Sequence, residues 1–427
     1  MQLLLFLKLI NKYITPYRWL ALFLLSSHIF DAGFEAAMRM SLKFIIDAAI
    51  VPKNYGLLIL ILLLLGGGAI AVTVVGLVGD FFSARFGVLV INDIRRSLFE
   101  QVQSLSMEFF GRRSAGDIVN CFLADTEKVE NGLTIGLATS IWNFSNILFS
   151  AIFLFFINWQ LAVLSCIGLT VCIIAPTGIL RRATKAGYHL RQKEGNIASV
   201  VEENILSQGV VKIFGLEKRA SKDFGTNLND LKRVYVRAKF LSFLVQRVPN
   251  LTFILVQLVI LSISAAMAYW NLISVGTLVS YQVLLIGLHS TIINFTWSLP
   301  YLIDGLAGLQ RLSEILAEIP QVQEATDAVD LPHFQSDIYF DNVNFSYSSE
   351  RAGVENLSLK IRQGDFAVFV GHSGAGKSTI VNLLARFYDP DKGRILFDGI
   401  DLRDCTIRSL RSQIGLVSQE VILFNGS

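Results

Sequence analysis

Six long apolar stretches divide the first three hundred residues of the chain. They run approximately over 19–38, 57–78, 141–157, 161–180, 249–269 and 278–299. Each is close to the roughly twenty residues that an α-helix needs to cross the hydrocarbon core of a bilayer. The third looks short because Asn143 and Asn146 interrupt its first half. The pattern therefore predicts six transmembrane helices.

Positive charge separates the connections between these stretches into two kinds. The connections after the second and fourth stretches are long and basic, for example at Arg95 and Arg181, whereas the other three are short and carry little positive charge. Because basic connections stay in the cytoplasm, both long connections and both ends of the chain are placed there. Their helical periodicity predicts helices that extend beyond the bilayer and turn near Gly116 and near 209–215.

The composition agrees with a chain that is largely embedded in lipid. Of its 427 residues, 53% are hydrophobic and 17% are charged, and the mean hydropathy is +0.53. Soluble domains carry about 25% charged residues. The net charge of +3 is small and no basic run is interleaved with aromatic residues, which argues against a nucleic-acid partner. The four cysteines lack the spacing of a metal site, so we expect free thiols.

The chain changes character after the sixth apolar stretch. Helical periodicity continues to about residue 319, and a polar linker follows over 320–337. The remaining residues, 338–427, begin with a β-rich segment and have the composition of a soluble domain. The predicted fold class is an α-helical membrane domain of six transmembrane helices over 1–319, followed by part of an α/β P-loop NTPase domain.

A glycine-rich motif, GHSGAGKST, stands between a predicted strand at Phe366–Val370 and a predicted amphipathic helix over 380–387. This is the context in which G-x-x-x-x-G-K-S/T forms a phosphate-binding loop. The glycines permit backbone angles that let successive N–H groups converge on phosphate oxygens, and the helix adds its positive dipole end. The predicted nucleotide site comprises Gly371, His372, Ser373, Gly374, Ala375, Gly376, Lys377, Ser378 and Thr379.

Two residues of this loop carry specific chemistry. The Lys377 ammonium is expected to reach the β- and γ-phosphates of the nucleotide, and the Ser378 hydroxyl is expected to ligate Mg²⁺. The predicted cofactors are therefore ATP and Mg²⁺. Since kinases, GTPases and motors have the same loop, the motif alone predicts nucleotide binding and no particular activity.

Motifs on both sides of the loop resemble those of bacterial half-size ATP-binding-cassette (ABC) exporters of the lipid and multidrug type. FDNVNFSY at 340–347 is similar to the first cassette strand of that family, and GRILFDGIDL at 393–402 and IGLVSQEVILF at 414–424 follow in the same order. In the membrane half, FFGRRSAGDI at 109–118 and EENILSQGVVKIFGLE at 202–217 resemble the two cytoplasmic coupling segments. These two segments, with Asp117 in the first, are expected to dock on cassettes.

The resemblance implies roles for further residues and partners. Tyr347 takes the place of the aromatic residue that stacks on adenine, and Gln419 that of the Q-loop glutamine, which contacts Mg²⁺ and the attacking water. With Lys377, Gln419 would then be catalytic. The implied function is ATP-driven export of an amphipathic substrate, lipid-like or drug-like, across the bacterial inner membrane. The implied partner is a second half-transporter, either a copy of the chain or a close relative.

The chain departs from the family pattern in one respect. The LSGGQ signature, the acidic pair of the Walker B motif and the switch histidine do not occur in the 427 residues. Because these groups contact the partner's γ-phosphate and activate water, we expect this polypeptide alone not to hydrolyse ATP. A second interpretation stays open, in which the chain is a remnant or a non-catalytic membrane subunit that binds nucleotide without transport.

The first apolar stretch carries a charged residue at every fourth position from Asp31 to Asp47. Residues four apart are neighbours on a helix, and Glu35 before Arg39 is the favourable order for an ion pair. A rise of about 1.5 Å per residue from the start of the stretch puts Asp31 about 18 Å into the bilayer. Two interpretations stay open, an ion-paired contact between helices or a charged lining of the transport cavity opposite residues such as Asn294.

Overall fold

The computed structural model describes residues 10–348 and 351–417. Six helices within this part of the chain are long and apolar enough to cross a membrane, as predicted. Two short helices, α3 and α6, lie between them. In chain order the helices are α1 (Ile10–Ile50), α2 (Tyr55–Ser104), α3 (Met107–Arg112), α4 (Ala115–Ile157), α5 (Trp159–Leu206), α6 (Gln208–Ile213), α7 (Glu217–Tyr269) and α8 (Val275–Leu316).

The turns at the tips of the two long connections fall where the sequence predicted them. At the first tip, α3 and the start of α4 surround Gly116, and Ser114 is the N-cap of α4. At the second tip, α6 and the start of α7 flank Gly215, whose φ of +63° lies in the left-handed region. A third irregularity, between Ile174 and Thr177, interrupts α5 at Pro176, which has no backbone N–H to donate.

The described residues form two compact units. One, here called the membrane unit, comprises residues 18–84 and 135–300. The other, here called the cassette unit, comprises residues 10–17, 85–134 and 301–417. The second unit thus combines parts of α2, α4 and α8 with the β-rich segment and the predicted nucleotide site.

The core of the membrane unit joins α4, α5, α7 and α8. Tyr281 is fully buried there, and its hydroxyl shares a 2.6 Å hydrogen bond with that of Ser165. A Cβ at Gly168 would lie 2.2 Å from the Val256 side chain, so this glycine permits the close approach of α5 to α7. Elsewhere in the unit, α1 packs along α4. Small residues and internally bonded polar groups are the contacts expected between helices in lipid.

The cassette unit contains one antiparallel sheet in its described part. Its strands are β1 (Asp337–Ser348), β2 (Arg351–Arg362), β3 (Lys392–Phe397) and β4 (Ile400–Asp401), in the spatial order β2-β1-β3-β4. Phe340 on β1 pairs with Leu359 on one side and with Ile395 on the other. Helices α9 (Lys377–Leu384) and α10 (Ile407–Arg411) follow. Phe340, Leu383, Ile395 and Leu410 are each 1% exposed or less and form the centre of the core.

The predicted strand at Phe366–Val370 is not a strand in the structure. No other described segment is hydrogen bonded to it in a sheet, and Phe366 and Val370 are 93% and 89% exposed. A continuous apolar run of this kind is typical of a strand buried on both faces of a parallel sheet. The sheet formed by the described residues is antiparallel and contains no partner for the run.

Helix α9 is displaced by three residues from its predicted range of 380–387. It begins at Lys377 because Gly376, with a φ of +80°, serves as the N-cap. It ends at Leu384 because Arg386 adopts a φ of +49°, and the Phe387 amide then donates to the Asn382 carbonyl oxygen at 2.9 Å. A left-handed residue just after the last turn is a common way to end a helix.

Candidate functional site

The glycine-rich loop forms a tight turn immediately before α9. Gly374 and Gly376 have φ values of +87° and +80°, which other residues rarely adopt. The Ala375 amide donates to the His372 carbonyl oxygen at 3.2 Å and closes the turn. A Cβ at position 376 would also lie 2.7 Å from the carbonyl oxygen of Gly353 on β2. Backbone angle and close packing therefore both require glycine at this position.

The Lys377 side chain folds back over the loop. Its Nζ donates to the carbonyl oxygens of Gly371 and His372, each at 2.8 Å. An ammonium has three N–H donors, so one is left for an anionic ligand. Residues 371–375 are exposed, which leaves the loop accessible to a ligand.

The two hydroxyl residues at the start of α9 have different environments. Ser378 is exposed, so its hydroxyl can reach a Mg²⁺ ion beside bound phosphate. Thr379 is 4% exposed and packs into the cassette core, so its expected contribution to phosphate binding is its backbone N–H. With the ammonium of Lys377 and the helix N-terminus, these groups fit a triphosphate and its Mg²⁺ ion. Gln419, predicted to contact the same ion, lies outside the described residues.

Tyr347 lies in an aromatic cluster next to α9. Its ring contacts Phe345 and Tyr388 edge to face, with centroids 4.9 and 5.1 Å away, and Asn382 Nδ2 on α9 donates to its hydroxyl at 3.2 Å. Burial raises the pKa of the Tyr388 hydroxyl, with Tyr347 and Glu108 adding to the effect. Tyr388 therefore stays protonated at neutral pH. The cluster holds the Tyr347 ring in one orientation against the helix that follows the phosphate-binding loop.

A cavity of about 220 Å³ lies beside this aromatic cluster. Its lining comes from three parts of the cassette unit: Glu108 on α3, Gln321 in the linker, and Tyr347, Tyr388 and Asp391 around the sheet. The first tip, predicted to dock on a cassette, therefore shares this cavity with the β-rich part of its own chain.

An ion pair and a hydrogen bond connect this part of the chain to Glu318, two residues after the end of α8. Arg112 pairs with Glu318 at 3.0 Å and with Glu108 at 3.6 Å, while Gln101 Nε2 donates to the Glu318 carbonyl oxygen at 2.7 Å. Arg112 is 56% exposed, so each pair alone contributes little stability. Together they hold α3 and the end of α2 close to the segment that follows α8.

Asp117, predicted to dock on a cassette, has a local role in the structure. The Ser114 hydroxyl donates to its carboxylate at 2.7 Å, and its own amide donates back to the Ser114 oxygen at 3.1 Å. This reciprocal pair caps the N-terminus of α4. Substituting Asp117 would therefore disturb the cap first, and Glu108 is the better candidate for a cassette contact.

Sequence reasoning missed the buried Arg386, which fixes the C-terminal end of α9. Its side chain is 2% exposed and donates to Asp389 Oδ1 at 3.1 Å and to the carbonyl oxygens of Cys405 and Gln323 at 3.0 and 2.9 Å. Arg411 donates in turn to the Arg386 carbonyl oxygen at 3.0 Å. The burial of Arg411 lowers its pKa, and Arg386 adds to this effect. No local motif signals this network, because two of its acceptors are backbone atoms distant in sequence.

In the membrane unit, the charges of α1 are bound to other helices. Arg39 pairs with Glu35, and its Nη1 donates to Asn146 Oδ1 on α4 at 3.1 Å. Asn146 Nδ2 donates to Glu35 at 3.1 Å, and its oxygen accepts from Thr291 on α8 at 3.1 Å. Glu35 and Arg39 are therefore ion-paired within α1, and the neutral Asn146 links this pair to α4. Asp47 is similarly bound, since it accepts from the Gly276 amide at 2.9 Å.

Comparisons with known proteins agree with this arrangement. Residues 21–292 match a family model described as the ABC transporter transmembrane region, and residues 354–427 match one described as ABC transporter. An "ATP-dependent lipid A-core flippase" of Syntrophus aciditrophicus is 31% identical over 79% of this chain and 56% of its own length. Another of the same name, from Methylobacillus flagellatus, is 28% identical over 92% and 66%.

A further relative is an "Uncharacterized ABC transporter ATP-binding protein YwjA" of Bacillus subtilis. It is 28% identical over 97% of this chain and 72% of its own length. The chain thus spans between 56% and 72% of the length of these three relatives. The functions of these relatives therefore belong to proteins longer than this chain of 427 residues.

Proposed function

Because the chain belongs to the ABC transporter family, we propose that it is one half of a dimeric exporter that uses ATP to move an amphipathic substrate across the bacterial inner membrane. The observation that carries the proposal is the loop at 371–379, whose left-handed glycines and folded-back Lys377 form a phosphate cradle at the start of α9. Six apolar helices in the same chain supply the membrane path.

The proposed roles of Lys377, Ser378 and Tyr347 at the nucleotide site draw on their positions in the structure, and that of Gln419 on the resemblance of its motif to the family. Bound ATP with Mg²⁺ would supply the phosphoanhydride bond whose cleavage drives the cycle. Lys377 directs its remaining N–H donor at the phosphates, and Ser378 holds the metal through its hydroxyl. Tyr347 stacks on adenine, while Gln419 positions water and metal. The backbone N–H groups at the start of α9 neutralise part of the phosphate charge.

Coupling is proposed to run through both cytoplasmic tips. At the first tip, Glu108 and the cassette share a cavity in one chain. At the second tip, Leu206, Ile213 and Phe214 are 80%, 81% and 70% exposed. An exposed apolar patch of this kind marks a contact with another protein surface. We assign it to the cassette of the partner half-transporter, either a second copy or a close relative.

The substrate is proposed to be amphipathic. Two relatives carry the name "ATP-dependent lipid A-core flippase", which supports a substrate with both a polar headgroup and an apolar part. The polar side chains on α1 and α4 of the membrane unit supply contacts for a headgroup, and the surrounding helix surface supplies contacts for an apolar part.

Substitution of the loop lysine tests nucleotide binding. Lys377→Ala removes the cation that would face the phosphates, so photo-crosslinking by azido-ATP should fall at least tenfold relative to the wild type. The matched control is Lys392→Ala, which removes an exposed lysine from the start of β3 and should leave labelling unchanged. Equal labelling of all three proteins would contradict the assignment of the nucleotide site.

A second candidate function is a membrane subunit that binds nucleotide without transport. In nanodiscs, this candidate predicts that the 427-residue polypeptide hydrolyses ATP no faster than its Lys377→Ala variant. Turnover clearly above that control would eliminate it and favour the transporter.

A further inference from the structure

Asp31 differs from the other charged residues of α1 in its partners. Glu35 and Arg39 neutralise each other, and Asp47 is bound to the start of α8. Asp31 accepts a hydrogen bond from Trp142 Nε1 at 2.8 Å, and no cationic group among the described residues lies within ion-pair distance of it. The middle of α1 therefore carries one uncompensated negative charge.

The depth of Asp31 makes this charge costly. Counting about 1.5 Å per residue from Trp19 puts its Cα about 18 Å into a bilayer core of about 30 Å. An ionised carboxylate at such a depth is unfavourable unless it meets water or an opposite charge. Asp31 is partly exposed on the membrane unit, so a ligand can approach it. A charge retained in this setting indicates a binding site.

The Trp142 side chain adds a second feature that suits a cation. Its Nε1–H lies in the ring plane and points at Asp31, so the carboxylate is bound at the edge of the indole. Both ring faces stay clear of the carboxylate, and the face of tryptophan is the aromatic surface that binds cations best. A ligand that touches the indole face next to Asp31 would meet negative potential from both groups.

The surroundings indicate the rest of the ligand. His28, three residues before Asp31 on the same helix, has a buried Nε2 without a hydrogen-bond partner among the described residues. As a neutral imidazole it can accept an N–H from an ammonium group. Phe30, next to Asp31 on α1, is 49% exposed and can contact an apolar tail.

We propose that Asp31 and Trp142 form a binding site for the cationic headgroup of a lipophilic amine or phosphonium, and that His28 accepts an N–H where the headgroup is an amine. This proposal rests on the proposed export function. It narrows the class of transported substrate from amphipathic molecules to lipophilic cations. An anionic headgroup such as a lipid phosphate is repelled by the same carboxylate. The Glu35–Arg39 pair next to the site is neutral overall and does not reverse that preference.

Two probes of equal shape and opposite charge test this proposal. Radiolabelled tetraphenylphosphonium and tetraphenylborate are equilibrated with the chain in nanodiscs of neutral lipid, and binding to empty nanodiscs is subtracted. The wild type should bind the phosphonium above background and the borate not at all. Asp31→Asn keeps the acceptor for Trp142 but removes the charge, and it should weaken phosphonium binding at least tenfold.

Two further variants keep the test decisive. Asp304→Asn removes a carboxylate from an exposed position on α8 and should leave binding unchanged. Trp142→Leu keeps the Asp31 charge but removes the indole face, so it should also weaken phosphonium binding. If Asp31→Asn does not give a monodisperse protein, this variant tests the site in its place. Equal phosphonium affinity in all variants, or a wild-type preference for the borate, would overturn the site; the second result would point to an anionic lipid headgroup.

Failure of this site is distinguishable from failure of the proposed function. Probe binding requires no nucleotide, so Lys377→Ala should bind tetraphenylphosphonium as the wild type does. Loss of ATP binding with intact phosphonium binding would count against the nucleotide assignment alone. Intact ATP labelling with no charge-selective binding would count against the Asp31 site alone.

Discussion

Two arginines with little exposure, one in each unit, are neutralised in different ways. Arg39 in the membrane unit is bound by side chains, namely Glu35 and Asn146. Arg386 in the cassette unit is bound by Asp389 and by two backbone carbonyl oxygens, those of Cys405 and Gln323. In lipid, helix backbones satisfy their own hydrogen bonds, so side chains must satisfy each other. In the cassette unit, loop backbones also need partners, and a long side chain supplies donors for them.

This difference has a consequence for substitutions. A side-chain network can be replaced as a whole by apolar residues, because every member can be changed. A network that ends on backbone carbonyls cannot, because the acceptors remain when the arginine is removed. The membrane unit should therefore tolerate a coordinated double substitution, and the cassette unit should not.

The largest expected loss of stability is that caused by Arg386→Ala. It removes three hydrogen bonds, leaves two carbonyl acceptors unpaired and opens a cavity at the end of α9, which should cost at least about 3 kcal/mol. Hydrogen exchange of the cassette unit should rise throughout its core. The control, Arg408→Ala, removes an exposed arginine from α10 and should change exchange little. Equal exchange in the two variants would show that the Arg386 network contributes no stability.

A smaller loss of stability is expected from Arg39→Leu. The substitution leaves Glu35 charged and unpaired in the membrane unit, which should cost about 2 kcal/mol. The double variant Glu35→Gln/Arg39→Leu should recover most of the loss, because no charge is then unpaired. All five tryptophans lie in the membrane unit, so thermal unfolding followed by tryptophan fluorescence reports on this unit. A double variant as unstable as the single one would contradict the proposed difference between the units.

The smallest effect concerns the cap of α4, where a side chain binds a backbone amide. Ser114→Ala should cost about 1 kcal/mol, with faster hydrogen exchange confined to the first turn of α4. Asp117→Ala should raise exchange at the same amides, because both residues belong to one cap. Faster hydrogen exchange that extends to the linker at 320–337 would instead support the prediction that the segment containing Asp117 docks on a cassette.

The parts of the fold that the sequence predicts are those with strong local constraints. The bilayer demands long apolar helices, so the six spans and the turns near Gly116 and Gly215 were predictable. The nucleotide loop is local too, since Gly374, Gly376 and Lys377 lie within four positions. The motifs also identified the family, which the comparisons confirm.

The parts that could not be predicted depend on partners distant in sequence. Arg386 binds carbonyl oxygens of residues far along the chain, and nothing near it in sequence marks them. The apolar run Phe366–Val370 has strand-like composition, but a strand also needs a neighbour, and composition does not supply one. For Asp31, periodicity identified a charged face on α1, yet the choice of Trp142 as its partner depends on how α1 packs against α4.

The most direct test of the account is hydrogen exchange of the amides at 371–379 with and without MgATP. This loop is expected to bind the phosphates through its backbone N–H groups and Lys377. We expect MgATP to slow exchange at these amides in the wild type and to have no effect in Lys377→Ala. Exchange that MgATP leaves unchanged in the wild type, at nucleotide concentrations that saturate ABC cassettes, would contradict the central claim.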